Sequence, residues 1–263
     1  MSEQNWSQHA QLDVDGRGVA TLCIRNAKSL NILSTPVVQA LTQALESASA
    51  RADIRVLVLR GEGDKAFVAG ADIKEMAAFD QRGAEAFIER LRILCERCRQ
   101  LRVPVIARIP GWCLGGGLEF ALACDLRIAA DTANFGMPEV KVGIPSVIYA
   151  ALMPRLIGKA RATWMLLTGE IVDAAQAESF GLVDRVVPLA QLDAEVDRVA
   201  ALLAGLGPQV VAQQKRMMRQ WEDEPLQTSI ADSVREFGAA FNTGEPQEFM
   251  GKFIQAKQGR DRA

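Results

Sequence analysis

Residues 111–120 read Gly-Trp-Cys-Leu-Gly-Gly-Gly-Leu-Glu-Phe, and the fold turns on this stretch. A strand-like run, Val105-Ile-Ala-Arg-Ile109, leads through Pro110-Gly111 into the three successive glycines, and an apolar helical run from Leu118 to Cys124 follows. Glycines at such a junction adopt backbone angles closed to other residues and let a ligand approach the main chain. The first amides of a helix lack an intrahelical acceptor and sit at the positive end of its dipole, so the Gly115-Gly116 backbone is suited to an oxyanion. A tight turn packed under a neighbouring strand also explains the glycines alone. Glu119 separates the two readings. It lies among Leu118, Phe120, Ala121, Leu122 and Ala123, where a carboxylate is either paired in the interior or placed for chemistry.

Two further segments have the same character. Phe67-Val-Ala-Gly-Ala-Asp-Ile-Lys-Glu-Met76 puts a small-residue loop, Ala69-Gly70-Ala71, just before Asp72, an acceptable helix N-cap. Phe135-Gly-Met-Pro-Glu-Val-Lys-Val-Gly-Ile-Pro145 places Glu139 after Pro138 in a loop between a strand and a helix, where by itself it reads as a first-turn carboxylate.

Composition narrows the chemistry. With 263 residues, 49% of them hydrophobic, the chain is long enough to bury a substantial core. A net charge of -2 argues against a general nucleic-acid or membrane binder. No stretch has the apolar length of a membrane span and the N-terminal residues lack a basic-then-apolar pattern, so the expected setting is cytoplasmic. Five cysteines do not suggest a disulfide framework. Cys95 and Cys98 form a CxxC without a second pair at zinc-binding spacing, and no metal site is expected. Cys113 and Cys124 read as small buried hydrophobes. The single histidine, His9, precedes the first hairpin, which disfavours Ser-His and Cys-His nucleophile pairs and leaves proton transfer to carboxylates.

The periodicity alternates strands and helices: a hairpin from about residue 9 to Ile24 around Asp15-Gly16, a helix from Pro36 to Ala50, and a strand at Arg55–Leu59. A helix over roughly 82–101, strands at 105–109 and Leu126–Ala129, and a strand at Val183–Val187 complete an α/β order. From about Leu192 only helical periodicity is visible, broken at Gly207-Pro208, Pro225 and Pro246. The expected division is a core of residues 1–191 and a helical region of residues 192–263.

The AGAD loop, the GGG-x-E helix start, the PE loop, and a later Leu167-Thr-Gly-Glu-Ile-Val-Asp-Ala-Ala-Gln-Ala-Glu-Ser-Phe-Gly-Leu-Val183 occur in order and at spacings that resemble the crotonase, or enoyl-CoA hydratase/isomerase, superfamily. The resemblance runs from about Val19 to the C-terminal helices. It implies an α/β spiral of ββα units followed by a helical trimerisation region, assembled as a homotrimer or homohexamer. It also implies an acyl-CoA thioester substrate, coenzyme A being part of that substrate, with no separate cofactor.

By resemblance the amides of Ala71 and Gly116 would stabilise the enolate oxygen formed from the thioester, flanked by Gly70 and Gly115. Glu119 would act as base on the added water and Glu139 would protonate the α-carbon, with the roles reversed in dehydration. Two neighbouring carboxylates do not easily stay charged together, so one can be acid while the other is base. Lys28, Lys65 and Lys74 match the family's phosphate contacts, and Ala69 the adenine contact through its backbone. Asp72, which completes the AGAD motif, is expected with Gly70 and Gly115 among the substrate-binding residues. Asp125 is expected as a structural acceptor, Arg127 as a strand-face charge, Glu75 as an exposed first-turn carboxylate, and Trp112, Trp164 and Trp221 as core or interface anchors.

Two departures stand out. Ala256 occupies the place of a C-terminal lysine that contacts CoA, with Lys257 beside it. After Glu139, Gly143-Ile-Pro-Ser-Val-Ile-Tyr-Ala150 replaces a glycine-rich turn with large residues. Two of Val147, Ile148 and Tyr149 are expected in the core, with Tyr149 the candidate for substrate contact. The reading that follows is an enoyl-CoA hydratase acting on a trans-2-enoyl thioester. Another crotonase-type reaction (isomerase, decarboxylase or specialised dehydratase) and a non-catalytic acyl-CoA or RNA-binding relative stand as alternatives.

Overall fold

A computed structural model describes residues 6–260. The chain opens with the hairpin β1 (Ala10–Val14) and β2 (Val19–Ile24), whose turn is held by Asp15 Oδ1 accepting from the amides of Arg17 and Val19. Helix α1 (Thr35–Ser49) follows, with Pro36 in its first turn where a missing N–H costs nothing. Strand β3 (Val56–Gly61) then lies parallel to β2.

From β3 onward the chain repeats one manoeuvre. Each turn gives one strand to a large sheet, one three-residue strand to a smaller sheet, and then a helical segment. The first turn is β3, β4 (Ala66–Val68), the short helix α2 (Ile73–Met76) and the long helix α3 (Gln81–Gln100). The second is β5 (Val105–Ile109), β6 (Trp112–Leu114) and α4 (Gly116–Leu122). The third is β7 (Leu126–Ala130), β8 (Asn134–Gly136), two 3₁₀ turns at Pro138–Val142 and Ile148–Leu152, and helices α5 (Met153–Ile157) and α6 (Lys159–Thr168). Strand β9 (Ile171–Asp173), helix α7 (Ala174–Phe180) and strand β10 (Arg185–Val187) close the spiral. The large sheet runs β1-β2-β3-β5-β7-β10 and the small one β4-β6-β8-β9. All β5 side chains are buried, as expected of a parallel strand covered on both faces.

The two faces of the large sheet differ. One carries the main core, into which α3 directs Leu91, Leu94, Cys95 and Cys98 at helical spacing. The CxxC is therefore part of that apolar stripe. The other face is covered by α8 (Leu192–Ala204), whose Leu192, Val196 and Ala200 pack on Val56, Val58, Ile106 and Ile128. Residues 192–204 thus pack with the spiral, and the C-terminal helices beyond them are α9 (Pro208–Asp223), α10 (Leu226–Ala240) and α11 (Glu245–Arg260). No helix of the described residues is long and apolar enough to cross a membrane.

Several polar residues have firmer roles than their sequence context suggests. Arg127 is buried, with Nε donating to Leu182 O at 2.8 Å and NH1 to Cys124 O at 3.0 Å, so it ties β7 to the end of α7 instead of forming a strand-face charge. Glu75 accepts from the Thr35 amide at 3.0 Å, supplying the acceptor that the N-terminus of α1 needs. Trp112, Trp164 and Trp221 are all exposed in the single chain, so none of them is a core anchor.

Asp125 is the polar joint between the spiral and α9. Its Oδ2 accepts from the Val105 amide at 2.7 Å and from Lys215 Nζ at 2.5 Å, and its Oδ1 from Arg219 at 3.2 Å. Lys215 is buried, and burial lowers its pKa despite the neighbouring carboxylate. Asp125→Ala strands that ammonium without a counter-charge, and urea unfolding is expected to show a loss of about 3 kcal/mol. An unchanged denaturation midpoint would remove Asp125 from this role.

Candidate active site

The site forms where the spiral's second and third turns meet the loop after β4. Gly115 has φ +52° and ψ −127°, a conformation open to glycine, and its amide donates to Gly136 O at 2.9 Å. That bond joins the start of α4 to β8. A Cβ at Gly115 would lie 2.5 Å from Glu139 Oε1, so the absence of a side chain lets this carboxyl approach the helix start. Gly117 has a different reason. A Cβ there would lie 2.2 Å from Val68 O, at the end of β4 and immediately before Ala69-Gly70-Ala71. The last glycine of the run thus brings the helix start and the small-residue loop into contact.

The resulting cavity, about 170 Å³, is lined by Ala69, Gly70, Ala71, Gly115, Gly116, Glu119 and Glu139. Its remaining walls are largely apolar, built from Ile73, Met76, Phe87, Ile88, Leu91, Leu114, Val142, Ile144 and Val147. Among the described residues, neither the Ala71 nor the Gly116 amide donates to a protein acceptor in turns, loops or caps. Two residues with unpaired main-chain donors therefore line the same cavity as two carboxyls. Such donors are fixed before reaction and need little reorganisation when charge develops on a bound oxygen.

The carboxyls differ in environment. Glu119, on α4, is 3% exposed, and Oε1 accepts from the Ala150 amide at 3.2 Å. Burial pushes its pKa from 4.5 up to about 8, with the nearby Glu139 adding to the rise. Glu139, in the 3₁₀ turn Pro138–Val142, is half-buried, and its Oε2 accepts from Ser146 Oγ at 2.9 Å. Burial also raises its pKa, while its own amide and the Ser146 hydroxyl oppose the rise. The pair is therefore suited to holding one proton near neutral pH, and its titration steps belong to the two groups together.

The large residues after Glu139 fall differently from expectation. Tyr149 is buried outside the cavity lining, its hydroxyl donating to Glu96 Oε2 at 2.8 Å on α3. Ile148 also packs against the core, so two of the three are interior as expected, but Val147 and not Tyr149 faces the cavity. Ile148 has φ +37°, an outlier for a β-branched residue.

The polar residues around the AGAD loop are arranged outside the cavity lining. Asp72 caps α2 by accepting from the Lys74 amide at 3.1 Å, and it also pairs with Lys28 Nζ at 2.5 Å. The Lys28 hydrogen bond is the main cause of a lowered Asp72 pKa. Lys65 and Lys74 are exposed at the surface. Sequence reasoning did not single out Lys141, which lines the cavity, or Ser146, which holds Glu139. Lys141 follows Glu139 by two residues and could have been suspected from that spacing alone. Ser146 carried no signal, since its bond depends on how the 3₁₀ turn folds back.

Comparison with known proteins identifies the family. The family model for enoyl-CoA hydratase/isomerase matches residues 15–260. The chain is 37% identical over 244 residues to a probable enoyl-CoA hydratase of Mycobacterium tuberculosis, covering 91% of this chain and 92% of that relative. It is 32% identical to a crotonyl-CoA hydratase of Syntrophomonas wolfei, over 91% of this chain and 93% of that one. The structure superposes on an enoyl-CoA hydratase from Bacillus anthracis with a TM-score of 0.90 at 32% identity, covering 95% of this chain and 97% of the other. An α/β spiral with two carboxyls and two free amides around one cavity, matched over this length, places the chain in the enoyl-CoA hydratase/isomerase, or crotonase, family.

Proposed function

We propose that this protein is an enoyl-CoA hydratase that adds water across the double bond of a trans-2-enoyl-CoA. The observation that carries the reading is the pairing of Glu119 and Glu139, both with raised pKa, on one apolar cavity that also receives the Ala71 and Gly116 amides. The amides hold the thioester oxygen as it gains charge. Glu119 removes a proton from water attacking the β-carbon, and Glu139 delivers a proton to the α-carbon. In the reverse direction Glu139 removes the α-proton and Glu119 protonates the departing hydroxyl. The ligand-free pair favours this second distribution, since Glu119 has the pKa near 8.

Lys28, Lys65 and Lys74 approach the CoA phosphates in this reading, with Ala69 offering backbone to the adenine. Lys257 is the basic residue nearest the substituted position 256. The chain assembles as a homotrimer or a pair of trimers through α9–α11. Support comes from Val234, Phe237 and Phe253, which are 75%, 70% and 72% exposed in the single chain. A cytoplasmic setting is consistent with five free cysteines.

The test is loss of enoyl-thioester absorbance from crotonyl-CoA and a longer 2-enoyl-CoA, with products identified by mass. A product heavier by one water is expected. An isomer of unchanged mass, or no turnover of either substrate, would transfer the site to another crotonase-type reaction.

A further inference from the structure

The segment Ser146–Ala150 serves both carboxyls at once. Ser146 Oγ donates to Glu139 Oε2 at 2.9 Å, and four residues later the Ala150 amide donates to Glu119 Oε1 at 3.2 Å while also reaching Val147 O at 2.9 Å. The Val147 amide also acts on Glu119, stabilising its charged form. Between these contacts lies Ile148 at φ +37°, a backbone state that a β-branched residue keeps only when its surroundings enforce it. Those surroundings are present. Ile148 packs on the core, and the next residue, Tyr149, is fastened to α3 through Glu96.

We propose that Ser146 is a positioning residue for Glu139: its hydroxyl, fixed at the head of the strained 146–150 turn, orients the Glu139 carboxyl and favours its ionised form. This inference rests on the hydratase reading for its kinetic consequence, but not for its physical content. Glu119 and Glu139 receive different donors from one short segment. A hydroxyl donor to a carboxylate favours the charged form, so Ser146 supports ionised Glu139. The other titratable group lining the cavity, Lys141, lies on the same 3₁₀ turn as Glu139 and forms no side-chain hydrogen bond or ion pair with either glutamate among the described residues.

Both reaction directions need one proton on the pair, so kcat is expected to follow a bell-shaped pH profile with an acid limb set chiefly by Glu139 and an alkaline limb set chiefly by Glu119. Ser146→Ala removes the donor and is expected to move the acid limb upward by about one pH unit. The alkaline limb stays in place. On the acid side of that limb kcat for dehydration of a 3-hydroxyacyl-CoA, the direction that needs ionised Glu139, falls by up to about tenfold, with KM within about twofold of the original, because the donor acts on the proton and not on substrate binding. Ser146→Thr restores the hydroxyl and is expected to restore the profile.

A second readout is independent of turnover. In the ligand-free protein labelled with ¹³C-glutamate, the Glu139 carboxyl resonance, assigned by its disappearance in Glu139→Gln, is titrated in the original protein, Ser146→Ala and Ser146→Thr. An upward move in Ser146→Ala that Ser146→Thr reverses, with Glu119 unmoved, supports the proposal. An unmoved Glu139 titration, or equal movement of both glutamates, overturns it. If the unmodified protein hydrates neither enoyl-CoA, the hydratase reading fails on that result alone and the titration still decides the role of Ser146.

Discussion

Glu119→Gln is expected to lower turnover of an enoyl-CoA by about 10²–10⁴-fold, the range that a positioned acid or base contributes. Glutamine keeps the side chain's size and can still accept from the Ala150 amide at the position Oε1 now occupies. It cannot exchange a proton in the reaction. Stopped-flow or steady-state loss of enoyl absorbance measures the effect. Retention of more than a tenth of the activity would exclude Glu119 as the proton-transfer group.

The same substitution has an opposite consequence for stability. The Glu119 pKa rises from an ordinary 4.5 to about 8 in the folded protein, because burial disfavours the charged form. Below pH 4.5 the group is protonated in both folded and unfolded chains. Between 4.5 and about 8 the unfolded chain releases this proton while the folded protein retains it, so stability falls as pH rises. The slope contributed by this group approaches about 1.4 kcal/mol per pH unit in that window. Glu119→Gln removes the contribution. Urea unfolding at a series of pH values is therefore expected to show a flatter profile for the variant, and greater stability than the parent near pH 8. Parallel profiles would place the proton elsewhere. A flatter profile would mean that activity comes at a stability cost built into α4, where a carboxyl sits among Leu118, Phe120 and Ala121.

Gly117→Ala is expected to have the largest effect on folding, a loss of more than about 4 kcal/mol, because the new methyl must displace backbone and not a movable side-chain end. The ideal Cβ position is 2.2 Å from Val68 O and within 2.7 Å of the Val68 Cβ. Relief would require β4 to separate from α4. Since Val68 leads into Ala69-Gly70-Ala71, this movement would also part the two amides that line the cavity, so any folded protein recovered should lose activity as well. Thermal or urea unfolding reads the first effect and turnover the second. A variant with the parent's midpoint would mean that the two segments are less closely joined.

The site was largely legible because its chemistry depends on residue types in short local patterns. Three glycines before Glu119, small residues before Asp72, and Glu139 after Pro138 are each visible without a fold, and the family resemblance joined them. The longer elements expected from periodicity lie within about two residues of their expected limits, the strand expected at Val183–Val187 spanning Arg185–Val187. The second sheet was not legible. Its strands β4, β6, β8 and β9 have three residues each, too few to establish a period of two.

Side-chain direction after Glu139 was also beyond local patterns. Val147, Ile148 and Tyr149 are all large, and the sequence offered the phenol of Tyr149 as the candidate for substrate contact. Tertiary packing gave Tyr149 a partner in Glu96, turned Ile148 onto the core and left Val147 on the cavity.

The sequence by itself determined the family and supplied the candidate reactive groups: glycines that expose backbone, two glutamates, and the order in which they occur. Only the tertiary structure decided their protonation and their partners. A pKa depends on burial and on nearby donors, and both arise here from segments distant in the chain: Glu119 meets the amide of Ala150, and Gly117 meets the backbone of Val68.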